Sequence, residues 1–496
     1  MKILLATLLL AYVCPLPSHA GQLLNKVQEY RLKNGLTLLM VERHSSPTFA
    51  ASIRFKVGSA NERSYERGTA HMLEHMLFKG TRQLGTSNYA AEQPLLEKID
   101  QIAQRLDAAE IGDKKPATAT TDALQKELAE LEKQAGRYQV TNELFKLYAQ
   151  NGGNGLNAFT NRDSTTYMVE LPSNKLELWA AVESDRFKNP VLREFYTERS
   201  VVIEERRRAY DENPPAKLRE QFYALAYQTH PYRQPTIGWP SDIRRLSRAK
   251  VASFLQSHYA PNNAVIALVG DIQPEQAIKL VERYFGDMPP KPLETAVVDQ
   301  EEPPAGERRV ELSAVGQRQL LVGFHKPAAQ DRDSLVFDLI AGILTKGRTS
   351  RLQQNLALKR KLAAGISVFE GPGRRYPNLF IFQLTPLKSP ANVIQALQNE
   401  LERLQSEPVS TQELHRVINL LLHEELRAMA TNYSLARALT EYEATAGGWR
   451  NLATYRSRLA QITAEDIQQT ARRYFIQENR IIGMLTPVKA EVKPHE

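Results

Sequence analysis

Cysteine is almost missing from this chain: one, Cys14, stands in 496 residues. That excludes a disulfide framework and a thiolate-type metal site. Long apolar runs are equally scarce. The exception, Ile3–Val13, follows Lys2 and precedes Ser18-His19-Ala20, a small-x-small cleavage pattern. It is too short to stay in a bilayer as a spanning helix, and residues 1–20 read as a secretory signal. Val13 stands before Cys14 where a lipoprotein signal wants a small residue, so lipidation is not expected. Without the signal no cysteine remains, which suits a periplasm, with secretion to the medium as the alternative. No other stretch reads as a membrane span. A strong excess of one charge is lacking too. Lys and Arg number 64 against 56 acids, a formal +8 that falls to +7 (8 − 1) when Lys2 is removed. Arg206-Arg-Arg208 abuts Glu204-Glu205 and reads as pairing with them rather than with nucleic acid. The glycines of Gly152-Gly-Asn-Gly155 lack the lysine and spacing of a phosphate loop.

What remains, 476 residues (496 − 20), is too long for one ordinary core, so two or more domains are expected. A proline-rich, charged stretch at 289–308 reads as a linker between residues 21–288 and 309–496. In the first part, Leu36–Val41 and Phe49–Val57 read as strands and Glu194–Tyr210 and Leu246–Tyr259 as helices. Asn263–Gly270 reads as a buried strand and Pro274–Phe285 as a helix with proline in its first turn. The second part repeats this outline. Val310–Leu312, Gln319–His325 and Leu379–Thr385 read as strands, Leu335–Leu344 as a helix, and residues 391–405 and 410–446 as long helices. The endings also rhyme: His258-Tyr-Ala-Pro-Asn-Asn before a strand, against Arg473-Tyr-Phe-Ile-Gln-Glu-Asn before another. The fold class that follows is α+β, with two homologous domains, each a mostly antiparallel sheet packed with helices. Residues 95–138 differ in texture and read as an inserted helical hairpin, a surface decoration rather than a lid or partner contact.

The chemistry concentrates in Gly68-Thr-Ala-His71-Met-Leu-Glu74-His75-Met-Leu-Phe-Lys-Gly80. On a helix, positions i, i+3 and i+4 share a face, so His71, Glu74 and His75 point the same way. Two imidazoles one turn apart can share Zn²⁺, and a carboxylate beside them can take a proton from water. Such a site needs a third protein ligand, and the expected donor is a carboxylate on another element. The helix Glu194–Tyr210 offers Glu198, Glu204 and Glu205.

His-x-x-Glu-His followed by the Glu198-Arg-x-x-Val-x-x-Glu205 helix resembles the pitrilysin, insulin-degrading enzyme and mitochondrial processing peptidase family of inverzincin metallopeptidases. The resemblance covers nearly the whole chain after the signal. It implies a zinc-dependent endopeptidase with one zinc per chain, held by His71, His75 and Glu205. Glu74 would be the proton-transferring carboxylate and Glu198 a supporting one, with Glu204 the rival in register. It also implies that the strand after the glycine turn, with Asn157, Ala158, Phe159 and Thr160, is the sheet edge to which substrate adds. The family's Arg/Tyr pair of the C-terminal half is expected around Leu379–Lys388, which holds neither residue. Arg374, Arg375 and Tyr376 cluster upstream with the wrong spacing. A homologous partner subunit that supplies the pair is therefore expected. The alternative is a weak or inactive homologous subunit that binds peptides or serves as a scaffold. His415 and His423, eight residues apart on one helix, are about 12 Å from each other by the helical rise, too far to share a metal. His230 and His258 have no companion at metal spacing.

Overall fold

Alternating β-branched and aliphatic residues build two sheets, seen in a computed structural model that describes residues 26–111, 118–293, 301–302 and 305–488. The signal segment with Cys14, and residues 294–300 and 303–304 of the expected linker, lie outside the described residues. The first sheet is made of β1 (Gln28–Arg31), β2 (Thr37–Glu42), β3 (Thr48–Phe55), β4 (Asn154–Thr160), β5 (Thr165–Pro172) and β6 (Ala264–Gly270), in the order β1-β2-β6-β3-β5-β4. The second is made of β7 (Arg308–Ala314), β8 (Gln319–Lys326), β9 (Ala363–Gly371), β10 (Asn378–Pro386) and β11 (Arg480–Pro487), in the order β7-β11-β8-β10-β9. Only β2–β6 and β7–β11 run parallel; every other neighbouring pair is antiparallel. Matching β2, β6, β3, β5 and β4 to β7, β11, β8, β10 and β9 superposes the two topologies, with β1 extra. The chain is thus an α+β fold of two homologous halves.

Side chains alternate between faces along each strand, and in β2, β3, β6, β8 and β10 both faces are buried. Leu38, Met40, Ile266 and Leu268 face a core shared with the first half's own helices, Trp179 and Phe285 among it. Leu39, Val41, Val265 and Ala267 face the helix Asn432–Thr445 of the second half, through Leu435, Ala436 and Leu439. The second sheet mirrors this. Phe380 and Phe382 face its own helices, whereas Leu379, Ile381 and Ile481 face Leu218 and Phe222 of the helix Pro214–Ala226, which belongs to the first half. Gly323 and Gly483 leave the space for Phe222: a Cβ on either would meet its ring at 2.7 and 2.9 Å. Each half lends one helix to the other's sheet.

Two expectations change. The run 410–446 is not one helix but two, Thr411–Ala428 and Asn432–Thr445. Thr431 starts the second through a reciprocal side-chain cap with Ser434, which competes with helix continuation. The first hairpin helix, Tyr89–Ile111, is no surface decoration. Leu96, Ile99 and Ala103 belong to the first half's main core. Glu92 is buried against Arg193 in two hydrogen bonds of 2.9 and 3.1 Å. Asp107 takes two bonds from Arg199, and Asp100 takes one each from Tyr196 and Arg248. Only Ile102, Leu106 and Leu124 form a separate small cluster with the second helix, Thr118–Gly136.

Candidate metal centre

The His-x-x-Glu-His segment is helical over Thr69–Met76. Its first turn is held from two sides. Gly68 adopts φ +97° against the backbone of Ile237, where any Cβ would lie 2.5 Å from a carbonyl oxygen. The Glu62 carboxyl oxygens accept the amides of Gly68 and Ala70 at 2.9 and 2.8 Å; burial raises its pKa to about 8, and these two bonds oppose the rise. Ala70, Met72, Leu73 and Met76 pack into the core, which leaves the opposite face to the histidines. Their rings lie 4.7 Å apart, edge to face.

The second helix runs over Phe195–Arg206, and a wider turn, Arg207–Asp211, follows it. Glu205 reaches both rings: its carboxylate oxygens lie 3.7 Å from His71 Nε2 and 3.5 Å from His75 Nε2. One donor atom from each of His71, His75 and Glu205 fits within 4.8 Å of the others, the one such group of three or more His, Cys, Asp or Glu among the described residues. Glu204 faces away and pairs with Arg207 and Arg208 at 2.7 Å, so of the two neighbouring acids Glu205 is the one beside the histidines. Arg206 departs from the expected pairing and binds Glu220 instead.

Glu198 accepts a hydrogen bond from His75 Nδ1 at 2.8 Å and one from Lys79 Nζ at 2.7 Å. The bond to His75, with Lys79 adding, holds its carboxyl down at about 2. A ring whose Nδ1 proton is engaged presents the Nε2 lone pair. His71 is kept neutral: burial pushes its pKa down to about 3, and the neighbouring His75 acts the same way. For His75 burial works against the charged ring, but Glu198, Glu205 and Glu74 outweigh it and the pKa rises. Two imidazole nitrogens and a carboxylate oxygen converging in this way fit a zinc ion. The Nδ1 of His71 is buried without a hydrogen-bond partner.

Glu74 lies on the same helix face but turns to Thr160, whose hydroxyl donates to it at 2.5 Å. Burial raises its pKa against that bond. Thr160 ends β4, the outermost strand of the first sheet. The edge carrying Asn157, Ala158, Phe159 and Thr160, which pairs only with β5 among the described strands, therefore ends at the carboxylate next to the histidines. Arg374, Arg375 and Tyr376 do not enter a strand. The amides of Arg374 and Arg375 donate to Asp163 Oδ2 at 2.6 and 3.2 Å, which ties their turn to the β4–β5 connection. Leu379–Lys388 is mostly β10, flanked by β8 and β9. His230 accepts the amide of Tyr232, and His258 stacks on Phe254. Sequence reasoning missed Lys79, Glu62 and the bond from Thr160 to Glu74. Lys79 stood one turn beyond His75 and was open to being found; the other two contacts have no signature in spacing.

Comparison with known proteins bears on the family and the fold. The model described as Insulinase (Peptidase family M16) matches residues 37–115 and 130–239, and the Peptidase M16 inactive domain matches 245–421. Of the unmatched 116–129, the described residues 118–129 form the first part of the helix Thr118–Gly136. The "Zinc protease PqqE" of Helicobacter pylori is 24% identical over 470 residues, 92% of each chain. The mitochondrial-processing peptidase subunit beta of Neurospora crassa is 23% identical over 270 residues, 53% of this chain and 44% of its own. Among solved structures, a protease from Helicobacter pylori shares the fold with a TM-score of 0.76 at 22% identity, covering 93% of this chain and all of that one. The periplasmic protease PqqL of Escherichia coli reaches 0.69 at 17% identity, over 93% of this chain and 47% of its own. With two duplicated halves, both matched by models of one family, this chain belongs to the M16 peptidases.

Proposed function

We propose that the chain is a zinc-dependent endopeptidase acting on peptides or unfolded segments, the catalytic subunit of a two-subunit enzyme exported to the periplasm. The observation that carries this reading is the convergence of His71, His75 and Glu205 donor atoms within 4.8 Å, a group to which the neighbouring Glu74 contributes no donor. A bound zinc ion would supply Lewis acidity at this point and make a nearby water more acidic. His71 and His75 hold it by ring nitrogen and Glu205 by carboxylate oxygen. Glu198, anchored by Lys79, keeps His75 in the tautomer that leaves Nε2 free. Glu74 takes the proton of the attacking water and gives it to the departing amine. Burial makes Glu74 a better proton acceptor, and Thr160 steadies its charged form. The open edge of β4 hydrogen-bonds an extended peptide through its backbone, so Asn157, Ala158, Phe159 and Thr160 bind substrate with little regard for sequence.

The two-subunit part rests on a gap. Leu379–Lys388 offers no arginine or tyrosine to the developing oxyanion, and a homologous subunit would supply them. Export rests on the signal-like residues 1–20 and on a fold neighbour named a periplasmic protease. No helix among the described residues is long and apolar enough to cross a membrane.

The test is metal analysis with a quenched-peptide assay, on the chain alone and with the product of its neighbouring gene. Glu74→Gln is expected to keep one zinc per chain and lose turnover, and His71→Ala to lose both. Equal zinc loss in the two variants overturns the division of roles. Full-rate cleavage by the lone monomer overturns the two-subunit part. Peptide binding with no turnover in any combination would favour the scaffold alternative.

A further inference from the structure

Next to the histidine–carboxylate cluster lies a second concavity of about 530 Å³, within the range of small-ligand sites. Its place follows from the chain. Arg162, in its wall, is two residues beyond Thr160, the residue bonded to Glu74. Tyr210, also in its wall, is five residues beyond Glu205, roughly 8 Å along a helical path. Glu370 of β9 comes from the second half, so the pocket lies where the halves meet.

Its charges are unbalanced. Arg162, Arg219 and Arg233 line it, with Glu220 and Glu370 as the acids. Both acids already have cations of their own. Glu220 accepts two bonds from Arg206, at 2.5 and 2.9 Å, and Glu370 pairs with Lys326. Among the described residues none of the three lining arginines is paired with a carboxylate. Arg162 donates to the Thr236 hydroxyl at 2.7 Å and lies 5.7 Å from the Tyr223 ring centroid, and its Nε is buried without a partner. Arg233 donates to the Gln228 carbonyl at 2.8 Å. Arg219 makes no hydrogen bond to a described residue. Three guanidinium groups around one partly buried space repel each other, and a planar anion that accepts two hydrogen bonds at once relieves this best.

We propose that this pocket is an anionic subsite of the cleft that takes a carboxylate of the peptide, either an Asp or Glu side chain at a fixed distance from the scissile bond or the terminal α-carboxylate. The inference rests on the peptidase reading above and adds a substrate class to it. Arg162 of its wall follows the last residue of β4 by two positions, so the carboxylate of a peptide paired with β4 would enter it just beyond the end of that strand.

The test reads binding, independent of cleavage. Dansyl-labelled peptides are titrated against the zinc-loaded chain carrying Glu74→Gln and followed by anisotropy. A Gln-containing parent is compared with versions in which one Glu is walked along the sequence, each with a free or an amidated C-terminus. One position, or the free terminus, is expected to bind about 10-fold to 100-fold tighter than its neutral counterpart, the worth of one charge-assisted pair. The free-acid and amide arms tell which carboxylate enters. Arg219→Gln should bring the ratio near one and Arg219→Glu should invert it, whereas Arg283→Gln, on the surface beside Glu177, should leave it. If Arg219→Gln does not fold, Arg233→Gln gives the same reading. A flat series, or a preference that survives both Arg219→Glu and Arg233→Gln, overturns the proposal. Failure of the peptidase reading shows elsewhere, as no hydrolysis of any peptide by the chain with Glu74 intact, either alone or with the product of its neighbouring gene, and leaves the binding result standing.

Discussion

Replacing Glu198 separates the orientation of His75 from its chemistry. In the fold Glu198 takes the Nδ1 proton of His75 at 2.8 Å and a proton of Lys79 at 2.7 Å. With its pKa held at about 2, it is a carboxylate throughout the neutral range. Alanine removes both anchors: the ring gains freedom to rotate and to exchange tautomers, and Lys79 keeps only Glu194. A carboxylate behind a metal-bound histidine is typically worth about 10-fold to 100-fold in metal affinity, about 1.4–2.8 kcal/mol. The Glu198 side chain is only 13% exposed, so water replaces it poorly and Glu198→Ala should fall near the upper figure. Glu198→Gln keeps an oxygen acceptor but loses the charge, and should fall near the lower one. Zinc affinity is measured by competition with a chelating fluorophore at pH 7.5, with a thermal melt to check folding. The expected order is the natural chain tightest, then Gln, then Ala. A folded Glu198→Ala chain with zinc affinity within twofold of the natural one would refute the reasoning.

Gly68→Ala forces a side chain into φ +97° and against the Ile237 carbonyl. A cost of about 1–3 kcal/mol should show as a lower melting temperature together with reduced zinc content, and unchanged values in both would remove Gly68 from the account. Glu92→Ala strands the buried Arg193 guanidinium and should cost about 3–5 kcal/mol in urea unfolding; below 1 kcal/mol, the pair does not tie the hairpin helix down. His325 is held neutral by burial, which lowers its pKa from the ordinary 6.5 to about 4. The unfolded chain then binds more protons between those values, so the contribution is complete above 6.5 and is lost as the pH falls toward 4, at most about 3 kcal/mol. His325→Phe should flatten the acid limb of a melting-temperature profile over that window, and an unchanged limb refutes the assignment. The two halves expressed apart should each fail to give a cooperative melt, and should regain one on co-expression; a sharp melt from either alone would contradict the exchange of helices.

What was legible from sequence is what depends on spacing. His71, Glu74 and His75 share a helix face by arithmetic, and Glu198 and Glu205 do so seven residues apart. The duplication showed in matching runs such as Ala264–Gly270 and Arg480–Pro487, whose apolar strand patterns survive without any shared site. What was not legible depends on partners far away in the chain. The apolar spacing of Leu218 and Phe222 says that the helix Pro214–Ala226 is buried, not that it is buried on the second sheet. β9 escaped notice because, as an edge strand, it buries too few residues for a clear pattern. Residues 95–138 looked like a decoration because Asp100 and Asp107 are ordinary surface acids until Tyr196, Arg199 and Arg248 are placed against them. The break at Thr431 was missed because the apolar periodicity continues on both sides of it.

The exchange of helices also explains why a cleft at the junction keeps its shape. Arg54, fully buried on β3, reaches across to the helix Asn432–Thr445, with Thr440 at 3.4 Å and Glu441 at 3.9 Å, and to Ser164 of the β4–β5 connection at 2.8 Å. Glu441 in turn holds Arg374 at 2.6 Å, and the amide of Arg374 holds Asp163. The polar chain closes on itself around the β4–β5 connection, three residues from the Thr160 that contacts Glu74. Buried ion pairs of this kind add little net stability, because desolvation offsets the attraction. They do penalise any other register, since a shift of one partner leaves a charge alone in the interior. The apolar faces of the exchanged helices supply the adhesion, and the Arg54–Glu441–Arg374 chain selects the arrangement in which the edge strand, the carboxylate and the second half meet.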